Sequence, residues 1–289
     1  MGISSRATGF ICSVLARERV RSTRLSLALS AVLTLGFVVP ASFAQTTSFD
    51  LKDLTPQEGK GFEQLFAREN ETLLKFLSRT KFASPFTGDI KVTVFDYSPP
   101  VSMALIPAWQ GQRGHMKFAA SRVKDKHAAV LHELTHVHAP NQARYLAEGF
   151  AVYLGETIGS KNTFPTAGQS SECAMLRDPK AISSVNLETF DKVSLGNGAE
   201  LGAQVGLDSA IPQEPEREAY SYLVSASFVK FLIRSYGLSK YKALYDKTPM
   251  TPGVVTPIDV DRYKPIYGKP LAKLQEEWLP WLKAKQRSC

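Results

Sequence analysis

The segment His132-Glu133-Leu134-Thr135-His136 constrains the fold of this 289-residue chain more than any other feature. Side chains four residues apart lie on the same face of a helix, so two histidines at this spacing can reach one metal ion. Imidazole nitrogens bind zinc at about 2.0–2.1 Å. Glu133 projects about a quarter-turn away from His132, where a carboxylate can act on a water molecule without binding the metal itself. The segment therefore predicts a helix that carries a zinc site and a general base.

A third candidate ligand, Glu148, lies on a second predicted helix that covers residues 143–156. Two histidines and one carboxylate leave a fourth coordination position for water, as in catalytic zinc sites. Glu156 lies two turns beyond Glu148 and could share its face, so it is the second choice for the carboxylate. The motif and the second helix together predict one Zn²⁺ ion per chain, with the ligands His132, His136 and Glu148.

Three further histidines stand near the motif. His138 lies only two residues after His136, on a different face of the helix. It is interpreted as a solvated residue or as one that supports a ligand. His127 and His115 are interpreted as structural, although His115 could line a cleft.

Residues 1–44 have the composition of a secretory signal peptide. A basic region of Arg17, Arg19, Arg21 and Arg24 precedes an apolar run over residues 25–39, and small residues at positions 42 and 44 provide a cleavage site. The apolar run is shorter than the roughly 20 residues that a membrane-spanning helix needs. We therefore expect cleavage and export to the periplasm or the medium, with an uncleaved signal anchor as the alternative.

The net charge limits which partners are expected, and the cysteine content bears on whether a disulfide forms. Without residues 1–44 the formal net charge falls from +8 to +4, and no basic run remains. Nucleic acid is therefore not an expected partner, and no stable membrane span is expected after signal cleavage. In an oxidising compartment Cys173 and Cys289 could form a disulfide, and the alternative is two unpaired thiols. No feature of the sequence indicates an oligomeric state.

Apolar periodicity predicts one domain over residues 45–289, with an N-terminal α/β part (45–156) and a helical C-terminal part (216–289). Residues 157–215 between them are rich in Gly, Ser, Asn and Pro, which indicates a loop-rich insert with one short helical piece near 187–193. The predicted helices cover 57–79, 124–138, 143–156, 216–236, 238–245 and 271–285, and the predicted strands cover 91–97, 102–109 and 115–120.

The motif and the segment Tyr145-Leu146-Ala147-Glu148-Gly149-Phe150-Ala151-Val152-Tyr153 resemble the gluzincin metallopeptidases of the peptidase MA clan. The pattern of that family is H-E-x-x-H followed by a helix with an E-G-(F/L)-A-x-Y core. The chain is most similar to compact bacterial members with a short spacer, and more remotely similar to the M1 and glycyl aminopeptidases. Two later segments, 222–232 and 274–278, fit a helix that starts with Tyr and a terminal helix with Trp.

The resemblance implies an α+β, zincin-like fold, in which a small mixed sheet packs its edge strand on the H-E-x-x-H helix and a mostly helical part follows. In similar enzymes the edge strand pairs with an extended substrate, and residues 115–120 are assigned to that strand. The resemblance also implies that Glu133 is the general base and that a tyrosine helps to hold the oxyanion. Tyr222 is the first candidate for that tyrosine and Tyr220 the second.

The predicted function is zinc-dependent hydrolysis of peptide bonds in a peptide or protein substrate. Aminopeptidase activity is not supported, because the chain has no G-x-M-E-N motif upstream of the zinc ligands. Two alternatives stay open: a non-catalytic zinc-binding module of the cell envelope, and an amidase that acts on a non-peptide amide. The presence of Glu133 favours an enzyme, because a site that only binds zinc does not need this carboxylate.

Overall fold

The computed structural model describes residues 45–105, 113–193, 205–213, 216–250 and 258–289, so the predicted signal segment lies outside it. The strands are β1 (Thr47–Leu51), β2 (Ile90–Phe95), β3 (Ser102–Ala104) and β4 (His115–Ala119). The longer helices are α1 (Pro56–Thr80), α3 (Val130–His138), α4 (Arg144–Ile158), α8 (Glu216–Tyr236), α9 (Leu238–Tyr245) and α11 (Leu271–Ala284). The helices of five residues are α2 (Ala120–Lys124), α5 (Ser171–Met175), α6 (Pro179–Ser183), α7 (Leu187–Asp191) and α10 (Tyr263–Tyr267). Within the described ranges, each helix is too short or too polar to cross a bilayer.

The sheet has four strands in the spatial order β1-β2-β4-β3. β1, β2 and β4 run parallel, whereas β3 runs antiparallel to β4. This small mixed sheet, set beside many helices, agrees with the predicted α+β class.

The assignment of residues 115–120 to the edge of the sheet is wrong. Residues 115–119 form β4, which lies between β2 and β3, and Ala120 begins α2. The edge next to the motif helix is β3, where Met103 pairs with Lys117. The strand order depends on pairing between distant segments, and alternation along one strand does not report it. The second half of the predicted strand 102–109 falls on residues that the structure does not describe.

Helix α1 agrees closely with the predicted helix 57–79. Thr55 caps its first turn, because its hydroxyl accepts from the Glu58 amide while the Glu58 carboxylate accepts from the Thr55 amide. This reciprocal pair satisfies two amides that a helix start otherwise leaves unpaired. The apolar face of the helix packs into the core through Phe62, Phe66, Leu73 and Leu77.

The predicted helix 124–138 is wrong in its first third. The chain forms α2, leaves the helical conformation over residues 125–129, and begins α3 at Val130. Lys126 has a φ of 60°, in the left-handed region, which a right-handed helix cannot contain. The break turns the chain so that α3 is buried between α1, α4 and β3.

The predicted insert 157–215 contains more helix than its composition suggests. Its described part holds α5, α6 and α7 rather than a single helical piece. Each of these helices begins after a residue whose side chain accepts a backbone amide, namely Ser170, Asp178 and Asn186. Helices of five residues are too short to show apolar periodicity, so caps were the available signal.

The C-terminal helix closes the fold. In α11 the buried Trp278 donates from its indole nitrogen to the Ser227 hydroxyl on α8 at 3.0 Å. Beyond α11, Cys289 forms a disulfide with Cys173 on α5, with the two Cα atoms 5.3 Å apart. The pairing that the sequence left open therefore exists in the structure, and it ties the end of the chain to the insert.

Candidate metal centre

The two histidines of the motif lie on α3, a helix whose nine residues are all buried. Its first turn has no capping side chain of its own. Glu69 on α1 takes that place: its Oε2 accepts from the Leu131 amide at 2.8 Å, and its Oε1 accepts from the Ser160 amide at 2.9 Å. A carboxylate from another helix therefore holds the start of the motif helix, directly before His132.

A fixed turn joins α3 to α4 and sets where Glu148 lies. The Tyr245 hydroxyl donates to the Ala139 carbonyl at 2.7 Å. The side-chain nitrogen Nδ2 of Asn141 donates to the Tyr245 carbonyl at 2.7 Å, and its side-chain oxygen Oδ1 accepts from the backbone amide of Ala143 at 2.9 Å. These bonds anchor the short spacer to α9, so that α4 returns alongside α3.

His132, His136 and Glu148 meet in one buried group that could hold a metal ion. The two Nε2 atoms are 3.1 Å apart, and Oε2 of Glu148 is 3.1 Å from one and 3.2 Å from the other. Ligand atoms around a tetrahedral ion with bonds of about 2.05 Å stand about 3.3 Å apart. The observed triangle therefore fits one such ion with little adjustment.

The charges in this group favour a bound cation. Burial opposes ionisation of Glu148, but the two facing histidines hold its pKa well below its usual value. Burial also opposes protonation of His136, yet the charge and hydrogen bond of Glu148 raise its pKa. An anionic carboxylate oxygen thus faces two imidazole nitrogens at hydrogen-bond distance, and all three atoms could donate an electron pair to one bound cation.

Glu133 lies beside the metal group but is not part of it. It is buried, and its carboxylate accepts a hydrogen bond from the backbone of Ala104 on β3. Burial raises its pKa, and the nearby His132 and His136 offset part of that rise. The residue therefore combines a fixed position with a pKa shifted toward the range in which a carboxyl group can accept and release a proton.

The structure separates the two tyrosine candidates. The Tyr222 ring lies parallel to the His132 ring, with centroids 6.2 Å apart, and its hydroxyl bonds to Arg144. Burial and the charge of Glu148 raise its pKa well above the usual value, so the hydroxyl keeps its proton. The Tyr220 hydroxyl instead points to the Asp178 carbonyl, 3.4 Å away. Of the two, Tyr222 is the one beside the metal group.

A cavity of about 460 Å³ opens onto this group. The residues that line it include the edge strand β3 and the four candidate site residues His132, Glu133, His136 and Glu148. A larger, shallower groove of about 790 Å³ lies between β1 and α1 and contains none of the candidate site residues. We therefore take the smaller cavity as the candidate active site, because the chemistry converges there.

Comparison with known protein families, curated proteins and solved structures gives no significant match. The likeness to the gluzincins therefore rests on the motif residues, and the metal group rests on geometry.

The remaining candidates lie outside the metal group. His138 is buried rather than solvated: its Nδ1 accepts from the Phe86 amide at 3.1 Å, and its Nε2 is 3.0 Å from Oδ1 of Asn70. Burial and the nearby Arg113 lower its pKa to about 4, so it is a neutral structural link. Glu156, the second choice for the carboxylate, accepts from the Ser171 amide at 2.8 Å instead.

The other two histidines do not join the group either. His127 lines the cavity, with its Nε2 3.2 Å from the Asn162 amide nitrogen. His115, which the sequence placed as a possible cleft residue, is on β4 and outside the residues that line this cavity.

Sequence reasoning missed Arg144, a largely buried residue in the cavity wall. Its Nη2 donates to Oε1 of Glu218 at 2.8 Å, and its Nε lies 3.9 Å from Oε1 of Glu148. It also bonds to Tyr222, so one guanidinium connects a candidate ligand to the candidate oxyanion residue. The sequence contained a signal for this contact, because Arg144 precedes Glu148 by four residues and residues at that spacing lie on the same helix face.

Proposed function

We propose that the chain is a zinc-dependent metallopeptidase with a zincin-like fold that cleaves peptide bonds in an extended substrate. The observation that carries the proposal is the convergence of His132, His136 and Glu148 in one cavity, with Glu133 beside them. The small mixed sheet supports the fold assignment, since its antiparallel edge strand packs against the motif helix.

The donor set supports zinc as the metal. Two imidazole nitrogens and one carboxylate oxygen form a common ligand set of catalytic zinc, and a fourth position stays open. When bound, zinc would lower the pKa of a water ligand toward about 7 and polarise the substrate carbonyl. His132, His136 and Glu148 would hold it.

Glu133 is the proposed general base and acid. Its carboxylate takes a proton from the attacking water and then passes that proton to the nitrogen of the leaving amine. The hydrogen bond from Ala104 fixes the carboxylate while leaving its second oxygen for this transfer. The burial that raises its pKa makes it better able to hold the proton between the two steps.

Tyr222 is the proposed oxyanion donor, and Arg144 explains why its hydroxyl hydrogen is available. A guanidinium group has donors and no acceptor, so in the bond between the two residues Tyr222 must accept. The hydroxyl hydrogen is then free to point to the oxygen of a tetrahedral intermediate.

Strand β3 supports an extended peptide as the substrate. It is an edge strand, it lines the cavity, and its Ala104 contacts Glu133. The outer side of an edge strand carries unpaired backbone groups, which bind an extended chain by strand addition. The proposed compartment is the periplasm or the medium, supported by the signal-like residues 1–44 and by the Cys173–Cys289 disulfide.

Digestion of casein and of a mixed peptide library by the purified zinc-loaded protein tests the proposal. The wild type should produce new peptide termini that mass spectrometry detects. Glu133→Gln should keep its zinc and lose activity by about 10²–10⁴-fold, the usual contribution of a general base. Full cleavage by Glu133→Gln would contradict the mechanism. A zinc-loaded wild type that cleaves neither substrate would favour the non-catalytic zinc module or the amidase.

A further inference from the structure

Two exposed apolar side chains flank the cavity of the metal group. Among the residues that the structure describes, the exposed large hydrophobic side chains are Val101 at 40% and Phe164 at 37%. A single exposed apolar residue is ordinary on a protein surface. Here both line the same cavity, although they come from distant segments: Val101 directly precedes β3, and Phe164 follows α4.

A series of rings leads from the metal group to this rim. The His132 and Tyr222 rings lie nearly parallel, with an interplanar angle of 21°. The Phe164 ring stands edge-on to Tyr222, with centroids 5.5 Å apart and an angle of 75°. Edge-to-face packing holds the exposed ring in place without burying it. The Phe164 ring therefore stays partly exposed in the cavity lining and is separated from the His132 ring by Tyr222 alone in this series.

The wall near the rim is apolar, and the nearby charges already have protein partners. Met103 and Ala104 of β3 face the cavity beside Val101. Arg122 donates from Nε to the Pro100 carbonyl at 3.0 Å. The Arg144–Glu218 ion pair, with 2.8 Å between its atoms, is mutually neutralised. The Arg144–Glu218 pair offers a charged substrate side chain no free counter-charge, although Arg122 keeps its positive charge because its partner is a neutral carbonyl. An apolar side chain that contacts Val101, Met103 or Phe164 would be removed from water.

We propose that Phe164 and Val101 form a subsite for a large apolar side chain adjacent to the scissile amide, and that the substrate is an extended peptide with such a side chain there. This inference rests on the proposed function, because it places the reacting amide at the metal group. Phe164 and Val101 determine specificity through contact with substrate, and they take no part in proton transfer.

Binding of hydroxamates to the zinc-loaded protein tests the subsite without requiring cleavage. A hydroxamate chelates zinc at the open position, and its side chain then samples the cavity. Two matched pairs cover both directions from the metal: N-acetylphenylalanine hydroxamate against N-acetylglycine hydroxamate, and 2-benzylsuccinic against succinic monohydroxamate. In at least one pair the benzyl compound should bind about tenfold or more tightly, the order expected when part of an apolar group leaves water.

Variants of Phe164 test whether this residue causes the preference for the benzyl compound. Phe164→Ala should remove most of the benzyl preference and leave binding of the unsubstituted compound unchanged, whereas Phe164→Leu should retain most of it. Lys161→Ala is the matched control, because Lys161 is exposed in the same segment and does not line the cavity. That variant should keep the full preference.

The outcomes separate the subsite from the proposed function. Equal binding within both pairs would overturn the subsite while the metal site stands. Two further results would also overturn the subsite. One is that N-acetyllysine hydroxamate binds more tightly than N-acetylphenylalanine hydroxamate, and the other is that Phe164→Ala keeps the full preference for the benzyl compound. If the unsubstituted hydroxamates do not bind the zinc-loaded protein, the proposed function fails and the subsite fails with it.

Discussion

Gly149 packs so closely against Ser225 that a Cβ atom added to the glycine would lie 2.5 Å from the Ser225 carbonyl oxygen. The contact joins α4 to α8, immediately after the ligand candidate Glu148. Because Tyr222 lies one turn before Ser225 on α8, this close approach also brings Tyr222 beside the metal group. Helix packing thus explains why a glycine follows Glu148: a larger residue at position 149 would collide with α8.

Gly149→Ala should destabilise the protein, because the added methyl group must push two helix backbones apart. Overpacking of this kind costs about 1–3 kcal/mol in the free energy of unfolding. Gly155→Ala on the same helix is the matched control, since its Cβ would meet no atom within 4 Å. That substitution should be neutral or stabilising, by up to about 1 kcal/mol. Urea unfolding measures both, and equal effects would contradict the packing explanation.

Glu69→Ala should destabilise the start of the motif helix. It leaves the amides of Leu131 and Ser160 without their acceptor, and an unsatisfied buried donor costs about 1–3 kcal/mol. Glu71→Gln is the control on the same helix, where the exposed carboxylate pairs with Lys75. The control should leave the free energy of unfolding unchanged in urea titrations. A Glu69→Ala variant as stable as the control would show that the cap contributes nothing.

Features that depend only on residues close together in the chain allowed part of this fold to be predicted from the sequence. A regular apolar face predicted α1 nearly to the residue. Gly237, with a φ of 90°, separates α8 from α9 as a positive-φ glycine does at a helix end. The spacing of His132 and His136 likewise fixed two members of the metal group, because i and i+4 share a face in any helix.

Long-range contacts explain what the sequence could not show. The order of β3 and β4 depends on pairing across distant segments, so the edge strand was assigned to the wrong residues. The role of Glu69 appears only when α1 packs against α3, since the two partners are 62 residues apart. Arg144 reads as an ordinary charged helix residue until Tyr222 and Glu218 arrive from α8.

Loss of the Cys173–Cys289 disulfide should lower stability without touching the metal group. The bond closes a loop of 116 residues, and constraining an unfolded chain over such a loop is worth about 2–5 kcal/mol. The double variant Cys173→Ser and Cys289→Ser avoids a reactive free thiol and should show this loss in urea unfolding. Its zinc content should equal that of the wild type. A double variant with unchanged stability would contradict a stabilising role for the bond.

Zinc stoichiometry, measured by elemental mass spectrometry on reconstituted and dialysed protein, decides whether His132, His136 and Glu148 form a zinc centre. We expect about one zinc per chain in the wild type and in the control His115→Ala, whose histidine lies outside the cavity lining. His132→Ala should lose its zinc and Glu148→Ala should bind zinc at least tenfold more weakly, because each variant removes one of three ligands. A wild type that binds no zinc, or a His132→Ala variant that binds as much as the wild type, would contradict the metal centre.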